Sequence, residues 1–149
     1  EETGPNIFAP SDYSVTIEDS VLAEKEYILR NLDDDSVVIL DCRTPAEFCG
    51  ADVRSARGGH IPGAVNFDWM LAVDRDRNFR LKASEEITAM LTERGVTADK
   101  EIIAHCQTHH RSSHTYMVLK SLGYKNVKGY DGSWSEWGND PDLPVELES

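Results

Sequence analysis

The chain has 149 residues, 40% of them hydrophobic, which is enough for one domain with a buried core. Its formal net charge of −12 disfavours binding to nucleic acids or anionic membranes, and no apolar run approaches the ~18 residues of a membrane span. The three cysteines lack the spacing of a disulfide framework, which indicates free thiols in a reducing compartment. We therefore expect a cytoplasmic protein, in which any anionic substrate needs a local positive site.

The beginning of the chain predicts an arm, a strand and a helix. Residues 1–12, which include two prolines, are predicted to form an irregular arm or a linker remnant. Residues 13–16 predict a short edge strand. Apolar residues at helical spacing predict a helix over residues 20–32.

A buried strand, a short helix and a further strand are predicted next. Residues 37–40 are a continuous apolar run, which suits a strand covered on both faces of a parallel sheet. Thr44, Pro45 and Glu47 have the pattern of a capping box with proline at the first helical position, so a short helix should follow. Residues 64–67 predict the next strand.

The second half of the chain repeats the alternation of helix and strand. We predict a helix over residues 85–94, a strand over 102–104, a helix after Arg111 and a last strand over 126–130. This order predicts an α/β domain of three layers, in which helices cover both faces of a central, mostly parallel sheet of five strands. Ligands of such folds bind beyond the carboxyl ends of the strands.

Cys106 lies at such a position, because it follows the strand over residues 102–104 and a helix begins after Arg111. Backbone N–H groups of the connecting loop and the N-terminus of the helix then point at the sulfur. This field favours a thiolate over a thiol. We therefore predict that Cys106 is a nucleophile and not merely a small buried residue, whereas Cys42 and Cys49 are predicted to be packing residues.

Five segments occur in an order and at distances that are similar to those of one known family. They are residues 40–43 (Leu-Asp-Cys-Arg), 45–48 (Pro-Ala-Glu-Phe), 59–66 (Gly-His-Ile-Pro-Gly-Ala-Val-Asn), 105–111 (His-Cys-Gln-Thr-His-His-Arg) and 130–134 (Tyr-Asp-Gly-Ser-Trp). Together they resemble bacterial rhodaneses (thiosulfate sulfurtransferases), most closely the C-terminal catalytic domain of the tandem two-domain enzymes. The resemblance implies a rhodanese-like domain over residues 13–146 and a tail over 147–149. The chain is then either an isolated catalytic domain, whose N-terminal rhodanese-like domain is missing, or a single-domain relative.

The resemblance implies that the reaction is a double displacement. The Cys106 thiolate attacks the outer sulfur of thiosulfate, sulfite leaves, and a covalent persulfide on Cys106 is the only cofactor. A thiophilic acceptor (cyanide, a thiol or a protein) then takes the sulfur. The six residues from Cys106 to Arg111 suit one sulfur atom, whereas related cysteine phosphatases use a loop one residue longer to hold a tetrahedral oxyanion.

The other residues of this loop are predicted to bind the substrate; they are Gln107, Thr108, His109, His110 and Arg111. Arg111 is the best cationic candidate, although its side chain could instead brace the loop. The two histidines would add hydrogen-bond donors or partial positive charge at the rim. Because a strand-loop-helix unit spreads its histidines in different directions, we predict no metal site.

Residues outside the loop are predicted to support the site. Arg43 and Arg57 could reach the entrance, although Asp41 and Arg43 are more simply interpreted as a structural ion pair at a strand end. Trp134 is expected to pack in the core in preference to forming a wall of the pocket. Rhodaneses that bind thiosulfate strongly often carry a basic residue where this chain has Glu47, which leaves the sulfur donor open.

Three alternatives remain beside thiosulfate sulfur transfer. The first is a sulfurtransferase that uses 3-mercaptopyruvate or hands persulfide sulfur to protein partners. The second is a rhodanese-like module that binds a partner or senses redox state. The third is a phosphatase-like enzyme, against which the loop length argues.

Overall fold

The computed structural model describes residues 10–16 and 19–147, so most of the predicted arm (1–12) and tail (147–149) lies outside the described residues. Three short 3-10 turns lie at Asp19–Val21, Trp69–Ala72 and Arg75–Arg77. The helices and strands follow in the order α1 (Lys25–Arg30), β1 (Val37–Asp41), α2 (Pro45–Phe48), β2 (Val65–Asn66), β3 (Val73–Asp74), β4 (Arg80–Leu81), α3 (Ser84–Glu93), β5 (Glu101–His105), α4 (His110–Ser121), β6 (Val127–Gly129) and α5 (Ser133–Trp137).

The central sheet has the strand order β2-β1-β5-β6, and all of its neighbouring strands are parallel. β3 and β4 form a separate antiparallel pair. In the register of the sheet, Asp41 pairs with His105 on one side and with Asn66 on the other. The carboxyl ends of three strands therefore meet at one edge, directly before Cys106.

Helices cover both faces of this sheet. Leu40 and Ala104 belong to a core cluster that includes side chains of α3 and α4, while Ile39 and Ile103 belong to a second cluster with side chains of α1 and α5. Successive residues of a strand point to opposite faces, so the apolar runs of β1 and β5 supply both clusters. The predicted three-layer α/β architecture is confirmed.

The prediction of five strands is wrong, because the central sheet has four strands in the described part of the chain. Residues 13–16 form no strand, and the side chains of Tyr13 and Val15 are 82% and 73% exposed, so they bury little apolar surface that could hold them against the sheet. At the outer edge of β6, Leu22 forms a single parallel bridge with Gly129, and the Ala23 N–H donates to the Gly129 carbonyl over 2.9 Å.

The helix predicted over residues 20–32 is shorter in the structure, because the residues before Lys25 do not join it. The chain first runs along β6 at Leu22, and α1 begins only at Lys25. None of the helices in the described ranges has the length and apolar character needed to cross a membrane.

The predicted capping box is confirmed. The Thr44 hydroxyl accepts a hydrogen bond from the Glu47 N–H over 3.3 Å, and the Glu47 carboxylate accepts one from the Thr44 N–H over 3.1 Å. Pro45 is the first residue of α2. This local pattern fixes the position of the Glu47 side chain, which is buried.

Candidate active site

The loop after β5 places Cys106 between the sheet and the first turn of α4. His109, just before the helix, has a left-handed backbone (φ +63°) that turns the chain into α4. The N-terminal residues of α5 hold the loop from behind, because the Trp134 N–H donates to the Cys106 carbonyl and the Ser135 N–H to the Gln107 carbonyl, each over 2.9 Å. Cys106 as a whole residue is 1% exposed.

The surroundings of the Cys106 sulfur favour the thiolate. Burial raises the pKa of the thiol, but hydrogen bonds from the Ser112 hydroxyl and from the backbone N–H groups of Ser112, Thr108 and Arg111 lower it by more in sum. The net pKa of Cys106 lies below its ordinary value. These donors are fixed before any substrate arrives, so they can stabilise negative charge on sulfur without reorganisation.

The Ser112 hydroxyl links the sulfur to His109. Ser112 is fully buried, and its Oγ lies 2.8 Å from His109 Nδ1. The His109 ring lies against Gly129, where a Cβ atom would come within 2.6 Å of it. Burial lowers the pKa of His109, although the charge of Asp131 opposes this. A neutral ring with its proton on Nδ1 can donate to Ser112, whose single hydroxyl proton is then free to point at the sulfur.

Replacing Ser112 with alanine is expected to raise the pKa of Cys106, because the thiolate loses a hydrogen bond from a buried hydroxyl. A hydrogen bond to a charged group contributes about 1.5–3 kcal/mol, so alkylation of Cys106 at neutral pH should slow by about 10-fold or more. A thiol with a raised pKa carries less thiolate at low pH and catches up at high pH. The difference between wild type and variant should therefore shrink as the pH rises.

Ser113→Ala is the matched control for Ser112→Ala. Ser113 is the next residue of α4, but it is exposed and its hydroxyl donates to the His110 carbonyl. Its rate profile with pH should overlay that of the wild type. An identical profile for Ser112→Ala would contradict the role of the Ser112 hydroxyl.

Arg111 is clamped by Glu47. Its two terminal nitrogens donate to the two oxygens of the Glu47 carboxylate over 2.6 and 2.8 Å. Burial alone would raise the pKa of Glu47, but hydrogen bonds from Arg111 and Thr44 lower it to about 2. The hydrogen bond and the charge of Glu47 likewise raise the pKa of Arg111, and the guanidinium also contacts the Cys106 sulfur. Arg111 thus has the bracing position that the sequence left open.

The expectation that Arg43 and Arg57 reach the entrance is wrong. Arg43 is 1% exposed and is paired with Asp41, so the predicted structural ion pair is confirmed. The guanidinium of Arg57 donates to the backbone carbonyls of Trp137, the last residue of α5, and of Asp140 and Leu143 in the segment that follows. Both arginines therefore stabilise the fold, because neighbouring carboxylate and backbone oxygens bind their guanidinium groups.

Trp134 also lies behind the loop. It is 1% exposed, its ring centroid lies 4.4 Å from the Arg43 guanidinium, and its Nε1 donates to the Arg57 carbonyl over 3.2 Å. This is the packing position expected from the sequence.

The remaining loop residues point in different directions. Gln107 is half-buried, Thr108 and His110 are exposed, and His109 faces the backbone of β6. The four histidines near Cys106 do not join other residues of the described chain in a group of three or more that could hold a metal ion.

Arg54 is a cation at this site that sequence reasoning missed. Gln107 Nε2 donates to the Arg54 carbonyl over 3.3 Å and to the Ser55 hydroxyl over 3.1 Å, which ties this segment to the residue after Cys106. The Arg54 side chain is 53% exposed, and its Nε lies 3.5 Å from Glu47 Oε1. No local motif marks residue 54, whereas Ser112 had the signal that it directly follows Arg111 in the first turn of a helix.

Comparison with known proteins agrees with this arrangement of sheet, loop and helix. The family model for the rhodanese-like domain matches residues 24–140, so the chain belongs to the rhodanese-like domain family. The family predicted from the sequence is thereby confirmed.

Two curated relatives are thiosulfate sulfurtransferases. The chain is 51% identical over 134 residues to that of Azotobacter vinelandii, an alignment that covers 90% of this chain and 49% of that protein. It is 49% identical over 133 residues to that of Pseudomonas aeruginosa, covering 89% of this chain and 48% of that protein. The chain thus spans about half the length of these relatives.

The fold is also similar to that of the wild-type structure of EanB. The two superpose with a TM-score of 0.78 over 87% of this chain and 32% of the EanB chain. Because the sequences are 22% identical, this likeness concerns the fold alone.

Proposed function

We propose that the chain is the catalytic domain of a thiosulfate sulfurtransferase in which Cys106 carries the transferred sulfur. The observation that carries this proposal is the cradle of donors around the sulfur, which lowers the thiol pKa despite burial. The names of the two curated relatives support thiosulfate as the donor. Residues 13–146 are the proposed extent of the domain.

In the proposed reaction the Cys106 thiolate attacks the outer sulfur of thiosulfate. A new S–S bond forms, the bond between the two thiosulfate sulfurs breaks, and sulfite leaves with the bonding electron pair. The persulfide keeps one negative charge, which the N–H groups of Thr108, Arg111 and Ser112 are placed to stabilise. Cyanide or a thiolate then attacks the outer sulfur, and the Cys106 thiolate is restored.

The other loop residues have supporting parts in this proposal. Gln107 anchors the neighbouring segment through its hydrogen bonds to Arg54 and Ser55, and Arg111 holds the shape of the loop through Glu47. His109 positions the Ser112 hydroxyl. The persulfide itself is the group that carries sulfur, so the proposed reaction needs no other cofactor.

The ion pair between Arg111 and Glu47 favours a second candidate donor. Glu47 neutralises Arg111, so the loop arginine offers little free charge to the doubly charged thiosulfate ion. 3-Mercaptopyruvate, whose only carboxylate carries a single negative charge, is the second candidate donor. A thiol-bearing small molecule or a protein thiol is the proposed natural acceptor, and a reducing, cytoplasmic environment would keep Cys106 reduced.

The test is the intact mass of the protein after incubation with each donor. Thiosulfate should add one sulfur atom, about 32 Da, and cyanide should remove it. Peptide mapping should locate the added sulfur on Cys106. If neither thiosulfate nor 3-mercaptopyruvate leaves an adduct, the enzyme proposal fails and the binding or redox-sensing module takes its place.

A further inference from the structure

We propose that Arg54 binds the charged oxygen atoms of the sulfur donor at the mouth of the Cys106 loop. The inference rests on the proposed function and names the class of substrate. This class is a small molecule that carries both the transferable sulfur and an anionic sulfonate or carboxylate group. The protein carries a net charge of −12, so such an anion needs a nearby cation that is free to receive it.

Arg111 is not free for this purpose. Both of its terminal nitrogens are engaged with Glu47, whose side chain is fully buried and also accepts hydrogen bonds from Thr44. The geometry is a bidentate pair, which is the strongest form of the arginine–carboxylate contact. An incoming anion would have to displace a buried carboxylate, and that carboxylate would then lack its main counter-charge.

Arg54 is the next charged residue beyond Glu47, counted outward from the Cys106 sulfur. The Cys106 sulfur contacts the Arg111 guanidinium, Arg111 is paired with Glu47, and Glu47 Oε1 lies 3.5 Å from Arg54 Nε. The hydrogen bonds from Gln107 to the Arg54 carbonyl and to the Ser55 hydroxyl fix the backbone of this segment beside the loop. The backbone therefore holds the Arg54 side chain at the rim of the loop, where the side chain is 53% exposed.

Asp52, the exposed partner of Arg54, is easily replaced. Its Nε and Nη2 donate to Asp52 Oδ2 over 3.1 and 2.9 Å, but both side chains are exposed, by 53% for Arg54 and 44% for Asp52. Exposed ion pairs of this kind contribute little to stability because water competes with them. A sulfonate or carboxylate presents two oxygens to a guanidinium fork, so it can take the place of Asp52 at little cost to the fold.

The alkylation of Cys106 by two reagents of similar size tests this inference. Iodoacetate carries a carboxylate beside its reacting carbon, whereas iodoacetamide is neutral. Arg54→Gln should slow the alkylation of Cys106 by iodoacetate about 3- to 10-fold and leave the rate with iodoacetamide unchanged, because a single exposed guanidinium provides a modest, salt-sensitive attraction. Arg54→Lys should retain part of the preference for the anion.

Arg75→Gln is the matched control, since it removes the same charge from an exposed residue of the 3-10 turn Arg75–Arg77. It should leave both alkylation rates at the wild-type values. With thiosulfate or 3-mercaptopyruvate as donor, Arg54→Gln should raise KM and leave kcat nearly unchanged. The donor whose KM rises more is the one whose oxygen atoms Arg54 binds.

Two outcomes would overturn the inference. Equal slowing with both reagents would mean that Arg54 acts on the thiolate and not on the anion. Unchanged rates with both would mean that no anion binds there. Alkylation requires no sulfur transfer, so the absence of a persulfide would refute the proposed function while the ratio of the two alkylation rates still decides the role of Arg54.

Discussion

Replacing Cys106 with serine is expected to abolish sulfur uptake from thiosulfate, with a loss of at least about 10⁴-fold in the transfer rate. A serine hydroxyl in this loop would still receive the N–H groups that now point at sulfur. It cannot form a persulfide, because an oxygen nucleophile does not attack sulfane sulfur productively at neutral pH. The urea unfolding midpoint should remain close to that of the wild type, since serine fits the same space.

The other two cysteines should not replace Cys106. Cys42 is fully buried, and burial raises the pKa of its thiol far above the ordinary value. Cys49 lies at the end of α2, where its sulfur contacts the Ala46 carbonyl, an acceptor that does not stabilise a thiolate. Cys49→Ser is therefore the matched control, because it makes the same chemical change at a half-buried thiol.

The measurement is the yield of the cyanide-labile sulfur adduct in each variant. Cys49→Ser should take up one sulfur atom as the wild type does, and Cys106→Ser should take up none. A stable adduct on Cys106→Ser, or its loss from Cys49→Ser, would show that sulfur is carried elsewhere and would overturn the assignment of Cys106.

The position of Cys106 was predictable because it depends on local order in the chain. An apolar strand, a short loop and a helix follow one another within about twenty residues, and any parallel α/β fold places such a loop at the carboxyl edge of the sheet. The capping box at Thr44 was predictable for the same reason. Each of these predictions uses neighbours in sequence.

The partner of Arg111 was not predictable in this way. Glu47 is 64 residues away in sequence, and the two meet only because β1 and β5 are adjacent strands. Glu47 was recognised as a capping residue and as a departure from the family pattern, but a single sequence does not show that one carboxylate serves both the cap and the loop arginine. The position of Arg54 beside Gln107 was not predictable either, because it depends on the path of the long loop between α2 and β2.

The same sequence pattern also has opposite outcomes at two places in the chain. Asp41 and Arg43 are two residues apart and form an ion pair, and so do Asp52 and Arg54. The first pair is buried beneath the sheet edge, whereas the second is exposed at the rim. Spacing alone therefore explains the pairing, and only the position in the fold decides whether the arginine supports the structure or is accessible to a ligand.

Asp41→Asn is expected to cost about 3–5 kcal/mol of folding free energy, because it leaves a buried guanidinium without its counter-charge. The Asp41 carboxylate accepts from Arg43 Nε over 2.9 Å and from Arg43 Nη2 over 2.5 Å, and neither side chain is more than 1% exposed. Arg43 also donates to the Gly59 carbonyl over 2.7 Å and lies over the ring of Trp134. The loss should appear as a lower urea midpoint with an unchanged slope.

Asp52→Asn provides the matched control, because it makes the same substitution in the exposed pair with Arg54, where water already screens the charges. Its urea midpoint should stay near that of the wild type.

The double variant Asp41→Asn with Arg43→Met should regain part of the stability that Asp41→Asn loses, since it removes the unpaired charge as well. Equal losses for Asp41→Asn and Asp52→Asn would contradict this account, and so would a double variant less stable than Asp41→Asn. Because the Trp134 ring lies against Arg43 and the Trp134 N–H donates to the Cys106 carbonyl, the buried ion pair is also linked to the base of the loop after β5.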